Sequence, residues 1–310
     1  LSVTGNWKKY YLMTKLRSNH RRAPASSIGR MMLLVVLGAS GLALGYQQFG
    51  HLLNGLPTTN TVEAEPVEDR FYLPDADFPV EVVHHKYFSL GYLESEEQSA
   101  WVAYRLTVQE LNQPKLPRYD YFDPDYSVST GSSFHRDYTG SGFTRGHLVP
   151  AVDMAFDSAA LRETFLMSNI SPQVRAFNNG VWRELEEQTR DWVRRNKELY
   201  IVSGPIFSTS HDRIGQNRVG VPESFFKVLL DVKDPEWKGI GFIIPNAISD
   251  RPLSDYACTI DSVEIMTHLD FFSHLLKDDQ EEALESTINL DQWPMHPHRF
   301  EWRVNEWNNR

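Results

Sequence analysis

Asp137-Tyr-Thr-Gly-Ser-Gly-Phe-Thr-Arg-Gly-His-Leu-Val-Pro-Ala151 is the densest run of chemistry in the sequence. Three glycines, an arginine and a histidine fall within these fifteen residues. Glycine lets the backbone approach a ligand closely or take positive φ. Arginine offers a planar fork of donors that suits phosphate, and histidine is the side chain poised to move a proton near neutral pH. The tripeptide Arg145-Gly-His147 is a weak signal by itself, because a lone histidine is more often structural or merely exposed. Its neighbours decide the reading.

Two further segments follow, Glu163-Thr-Phe-Leu-Met-Ser-Asn-Ile-Ser-Pro-Gln173 and Asn178-Asn-Gly-Val-Trp-Arg-Glu-Leu-Glu186. An asparagine at a helix start is ordinarily a cap, and a glutamate further along is ordinarily a solvated face. Asn178 and Glu186 are eight residues apart, however, about two helical turns, so both can face one cavity. The helix itself is predicted over Val181–Arg195, where Trp182, Leu185, Thr189 and Trp192 recur at three- to four-residue spacing as one buried stripe.

Outward from these segments, Trp101–Leu106, Leu199–Gly204, Ser224–Val232 and Gly239–Pro245 are rich in Val, Ile, Phe and Tyr and read as strands. Ala160–Leu166 reads as a helix. Asp261-Ser-Val-Glu264 has the spacing of a capping box, which predicts a helix starting there and running towards Leu276. Strands and helices do not alternate regularly, so the expected class is α+β with a largely antiparallel sheet flanked by helices.

The three motif segments, in this order and spacing, resemble the DNA/RNA non-specific endonuclease family, whose members are built on a ββα-metal (His-Me) finger. The family pattern R-G-H-x-x-P-A, then S-N-x-x-P-Q, then N-x-G-x-W-x-x-L-E is met at Arg145–Ala151, Ser168–Gln173 and Asn178–Glu186. Val202–Ile206 and the strand pair over Phe225–Pro245 are also similar, and the likeness covers roughly residues 80–277. It implies a metal-dependent nuclease acting on DNA and/or RNA. His147 stands where the family has its general base, Asn178 where it has the direct magnesium ligand, and Glu186 where an acidic residue orders water on the metal. Asn169 matches a polar residue that positions the histidine and phosphate region, and Arg145 and Arg118 match arginines that face phosphate. The implied cofactor is magnesium, with manganese able to substitute, and a homodimer is compatible with the resemblance. One position departs: the residue before Arg-Gly-His is often Asp in the family and is Thr144 here.

The chemistry suits such a site. A phosphodiester resists attack because it is already anionic, so its hydrolysis needs a base for water and a cation for the developing charge. Magnesium keeps several waters and needs few protein ligands, so one asparagine oxygen is adequate and leaves the ion's full charge for phosphate. The expected products carry 5′-phosphate ends. Contacts to phosphate and sugar carry little sequence information, which predicts weak sequence preference. The competing reading is a catalytically silent nucleic-acid-binding or membrane-tethered adaptor that keeps the fold. A zinc protease is disfavoured by the lack of His-Glu-x-x-His, and His296-Pro-His298 reads as a surface feature of the tail.

The rest of the 310 residues bound the setting. The lone cysteine, Cys258, rules out an intramolecular disulfide and a Cys-rich zinc site. The net charge is −10, but residues 1–30 hold seven basic residues and no acidic one, which leaves 24 basic against 41 acidic residues in the remainder. An acidic body is not the usual footprint of a nucleic-acid binder, so a local basic groove and a bound cation must overcome the global field. The basic stretch is followed by sixteen uncharged residues, Met31–Tyr46. With its continuation through Phe49 and Leu53 this segment reaches the roughly 20 residues of a membrane span. The organisation expected is a targeting segment over 1–53, a Pro-rich acidic linker over 54–79 and the nuclease domain over 80–310. An uncleaved anchor is favoured over a cleaved signal peptide, because no small-residue cleavage site stands out. Arg21, Arg22 and Arg30 would stay on the cytoplasmic or matrix side. The body is then held at or beyond the membrane, in the periplasm, outside the cell, or at the mitochondrial inner membrane.

Overall fold

The apolar runs read from the sequence become the centre of an antiparallel sheet. The computed structural model describes Pro66 and residues 69–309; the targeting segment and most of the expected linker lie outside these residues. The strands are β1 (Asp75–Ala76), β2 (Glu81–His84), β3 (Ser89–Leu93), β4 (Gln98–Thr107), β5 (Thr144–His147), β6 (Ile170–Gln173), β7 (Glu198–Ile206), β8 (Arg213–Ile214), β9 (Val219–Gly220), β10 (Ser224–Asp231), β11 (Lys238–Pro245), β12 (Ala257–Cys258) and β13 (Leu269–Asp270). Seven of them form one sheet in the order β12-β11-β10-β7-β4-β3-β2, and every neighbouring pair is antiparallel. The class is therefore α+β, as the irregular element order predicted.

Both faces of the sheet are covered, which is why its central strands are apolar almost throughout. Val102, Tyr104 and Leu106 of β4 and Phe225 and Leu229 of β10 point into one core, with Trp182, Leu185 and Trp192. Trp101 and Ala103 of β4 and Phe226, Val228 and Leu230 of β10 point into the other, with Ile260, Val263 and Phe271. Side chains alternate between faces along a strand, so Lys227, between Phe226 and Val228, points into the first core and is completely buried there.

The helices that matter for function are α1 (Val108–Leu111), α2 (Ser158–Glu163), α3 (Arg175–Phe177), α4 (Arg183–Asn196), α5 (Ile260–Thr267), α6 (Asp278–Glu285) and α7 (Arg299–Asn305). All four stripe residues are buried, Trp182 just before α4 and Leu185, Thr189 and Trp192 within it. Truncating a buried Trp such as Trp192 to Ala costs about 3–5 kcal/mol in a core of this kind. The start of α5 is not the one the sequence spacing predicted. Thr259 is the cap, its hydroxyl accepting from the Ser262 N–H at 3.2 Å. The helix also stops early, at Thr267, where His268 takes φ 58°, and the chain turns into β13.

Packing on the body begins before Pro79. The Arg70 guanidinium donates to the carbonyls of His85 (2.9 Å), Lys86 (2.8 Å) and Phe88 (2.9 Å) and to the Ser89 hydroxyl (2.8 Å). Tyr72 is buried, and β1 pairs with β13. Residues 70–79, read as linker from their prolines, are thus tied into the fold. Among the described residues, no helix is long and apolar enough to cross a membrane.

Candidate active site

A small ribbon and a helix carry the three motifs. β5 and β6 pair antiparallel, with His147 opposite Ile170 and Thr144 opposite Gln173. The chain then runs through α3 into a kinked turn, Asn178–Trp182, and on into α4. Gly180 leaves helical geometry inside this turn (φ −99°, ψ −110°). Phe177 and Trp182 flank the turn, stack 5.5 Å apart, and both pack on Phe225 of β10, at 5.1 and 5.6 Å. The glycine of Arg-Gly-His has a local cause as well, because a Cβ on Gly146 would run into the Gln173 side chain.

Arg118, Arg145, His147, Asn178, Asn179 and Glu186 line one polar cleft of about 190 Å³, with Pro150–Val152 along its wall. The structure thus brings together five of the six residues singled out in the sequence. The sixth, Asn169, is fully buried and does not reach the cleft. Its carbonyl accepts from the Leu148 N–H at 3.0 Å. Its side-chain oxygen accepts from the Val149 N–H at 2.9 Å, and its amide nitrogen donates to the carbonyls of Val149 (3.1 Å) and Thr164 (2.8 Å). It fixes the chain that leaves His147, and it cannot itself touch phosphate.

His147 keeps part of its ring open to the cleft, but Nε2 is screened and has no hydrogen-bond partner among the described residues. The ring lies between Phe165 (4.8 Å, edge to face) and Phe122 (5.7 Å). Burial, reinforced by the positive charge of Arg118, pushes the imidazole down to about 3. The ring is therefore a neutral acceptor at physiological pH. Arg145 lies over Phe122 at 5.1 Å. Arg118 is more than half exposed, donates to Asp120 at 2.5 Å, and lies over Phe165 at 5.3 Å at the mouth of the cleft.

Asn178 is not a free rotor. Its amide nitrogen donates to the Thr144 hydroxyl at 3.0 Å, and that hydroxyl donates in turn to the Gln173 carbonyl at 2.9 Å. The amide oxygen is left to the cleft. A neutral oxygen beside the Glu186 carboxylate is a donor set that fits a hard divalent cation.

Beneath the cleft lies a charge cluster that sequence reasoning missed. Burial pushes the Glu186 carboxyl up to about 7, against the opposing effect of Arg190 and Lys227. Arg190 pairs with Asp153 at 2.9 Å, and the Tyr104 hydroxyl donates to the same carboxylate at 3.0 Å. The Lys227 ammonium sits 4.9 Å from the Trp182 ring without a hydrogen-bond partner among the described residues. Burial lowers it to about 8. Two signals were present in the sequence: Arg190 follows Glu186 by four residues, one helical turn, and a lysine inside Phe225-Phe-Lys-Val-Leu-Leu230 has no solvent to reach.

The C-terminal segment reaches the same turn from behind. The Arg303 guanidinium of α7 donates to Glu184 at 2.5 Å and to the carbonyls of Ser249 and Arg251. Asn308 lies against Gly180, its oxygen 2.5 Å from where a Cβ would stand, and Trp307 lies under Arg183 at 4.1 Å.

Residues 75–278 match the sequence profile of the DNA/RNA non-specific endonucleases. The chain belongs to that family. It is a nuclease, and the ββα finger is the part of the fold where its three signature motifs converge. Among curated proteins, the mouse mitochondrial nuclease EXOG is 30% identical over 276 residues, 83% of this chain and 74% of the relative. Human mitochondrial endonuclease G is 33% identical over 193 residues, 57% of this chain and 64% of the relative. A chain from a crystal structure of the EndoG/EndoGI complex superposes with a TM-score of 0.62 at 28% identity, over 66% of this chain and 89% of that one.

Proposed function

We propose that this nuclease hydrolyses phosphodiester bonds in DNA and RNA with magnesium as its metal, His147 as general base and Asn178 as the protein ligand of the ion. The observation that carries this reading is the meeting, on the lining of one polar cleft, of a neutral His147 whose Nε2 has no hydrogen-bond partner among the described residues and of Asn178, whose amide nitrogen is taken up by Thr144. Magnesium bound there would act as a Lewis acid for the phosphate and its leaving oxygen.

His147 takes a proton from the attacking water as the water oxygen bonds to phosphorus. The bond from phosphorus to the 3′-oxygen breaks, the leaving oxygen takes a proton from solvent water to become a 3′-hydroxyl, and the other end keeps a 5′-phosphate. Arg145 and Arg118 hold the phosphate from the cleft wall and mouth. Glu186 accepts hydrogen bonds from water beside Asn178 and fixes its orientation. The lack of any base-reading element among these residues supports weak sequence preference.

The test is incubation of circular single-stranded DNA and of RNA with the wild type and His147→Ala, with and without magnesium. Cutting of the circle by the wild type only, and only with the metal, is the expected result. Metal-independent cutting, or equal cutting by the variant, would overturn the reading. Several relatives are mitochondrial by name, which favours the mitochondrial inner membrane among the locations open to an anchored body.

A further inference from the structure

We propose that Asp261 and Glu264 of α5 and Glu285 of α6 form a second cation site, separate from the catalytic cleft and suited to calcium. Asp261 and Glu264 are three residues apart on α5 and share one face. Glu285 comes to that face from α6, and one carboxylate oxygen from each residue lies within 4.8 Å of the other two. Calcium takes oxygens at about 2.3–2.6 Å, so ligands of one ion stand at most about 5 Å apart. The spacing here fits that limit.

A separate observation points to a ligand. Glu285 is only 4% exposed, and its Oε1 has no hydrogen-bond partner among the described residues. Glu281, one turn earlier on α6, likewise has a buried, unpartnered Oε1. The charges that act most strongly on Glu285 are the carboxylates of Glu264, Glu281, Asp261 and Asp270. None of Asp261, Glu264 and Glu285 has an ion-pair partner among the described residues. A buried carboxylate with neither donor nor counter-charge is costly, and a bound cation supplies the counter-charge and coordinates the oxygen in place of a donor. Glu264 is already held in place, its Oε1 accepting from the Phe271 N–H at 2.8 Å.

The donors are all oxygens, which excludes a preference for soft metals. Two helices of independent origin form an irregular cage, and calcium tolerates irregular coordination better than magnesium does. Asp261 and Glu264 are partly exposed, which leaves a side open for water ligands. The match to the family ends at residue 278, where α6 begins, so the ion would staple the segment beyond the match onto the body.

The experiment is calorimetric titration of calcium chloride into the chelator-treated full chain carrying Asn178→Ala, which removes the proposed catalytic ligand. One equivalent should bind with a rise in Tm. Adding Glu285→Gln, or separately Asp261→Asn, should abolish the binding and the calcium-dependent rise in Tm while the chain remains folded in chelator. Absence of saturable binding overturns the proposal, as does binding that both variants leave undiminished. A third result also overturns it: calcium without effect while Glu285→Gln raises Tm, which would mark the cluster as a shared proton.

Discussion

The Thr144 hydroxyl links Asn178 to the backbone of Gln173, accepting from the amide at 3.0 Å and donating to the carbonyl at 2.9 Å. An asparagine amide can present either end to a cleft, and this pair of bonds selects the oxygen. Replacing Thr144 with Val removes both bonds while keeping the shape. Partners that orient a metal ligand are typically worth about 10–100-fold in affinity or activity. Thr144→Val should raise the magnesium concentration for half-maximal cleavage by about 10-fold, and Thr144→Ser should restore it. Unchanged metal dependence in the Val variant would remove Thr144 from this role.

His147→Ala should lower turnover by about 10²–10⁴-fold, the usual worth of a general base, with the fold retained. In the metal-free protein, the His147 ring signals should not titrate between pH 8 and pH 4.5, because its folded value lies near 3 and not near the ordinary 6.5. A titration near pH 6–7 would contradict that environment.

The same depression makes His147 a stability liability in acid. The unfolded chain takes a proton near pH 6.5 that the folded chain refuses until about 3, so stability falls as pH drops through that window. His147→Gln removes the titrating group. Its Tm should decline less than that of the wild type between pH 7 and pH 4.5, by thermal melts in chelator. Parallel declines would show that other groups set the acid limb.

Lys227→Met keeps the length of the side chain and removes a positive charge that holds Glu186 down. The Glu186 carboxyl should rise further, and the acid limb of the rate profile should move to higher pH. Each unit of movement is worth about tenfold in rate on that limb. An unmoved limb with a lowered Tm would assign Lys227 to packing on Trp182 alone.

Deleting residues 1–54 should release an active, soluble domain, since targeting segments lie outside a fold. Deleting residues 1–79 should not. It removes the buried Arg70 and Tyr72 and strand β1, and with them the guanidinium that ties the carbonyls of His85, Lys86 and Phe88 together. Circular dichroism melts of the two truncations decide the matter, and equal Tm values would restore Pro79 as the boundary.

These contrasts locate what the sequence could show. Phe225–Val232 was legible as a strand because a twice-covered strand has no polar alternation to confuse it. That His147, Asn178 and Glu186 share one cleft was legible because their motifs are short, dense and ordered. The Asp153–Arg190 pair and Lys227 were not, because their neighbourhood is created by the sheet: Arg190 lies 37 residues beyond Asp153. Asp261-Ser-Val-Glu264 misled for a physical reason. Its carboxylates have capping-box spacing but face α6, while Thr259 caps the helix. Pro74 and Pro79 suggested a linker because prolines mark irregular backbone, and irregular backbone can still be buried.

The hold of Arg303 on Glu184 spans 119 positions, and it has a temporal meaning. During synthesis, the motifs from Arg145 to Glu186 leave the ribosome long before Arg303, Trp307 and Asn308 exist. A nascent chain, or one clipped by a protease after α5, carries every signature of the family with the Gly180 turn unbraced. The three motifs can therefore be complete in sequence while the contacts that Arg303 and Asn308 make around the Gly180 turn are still missing.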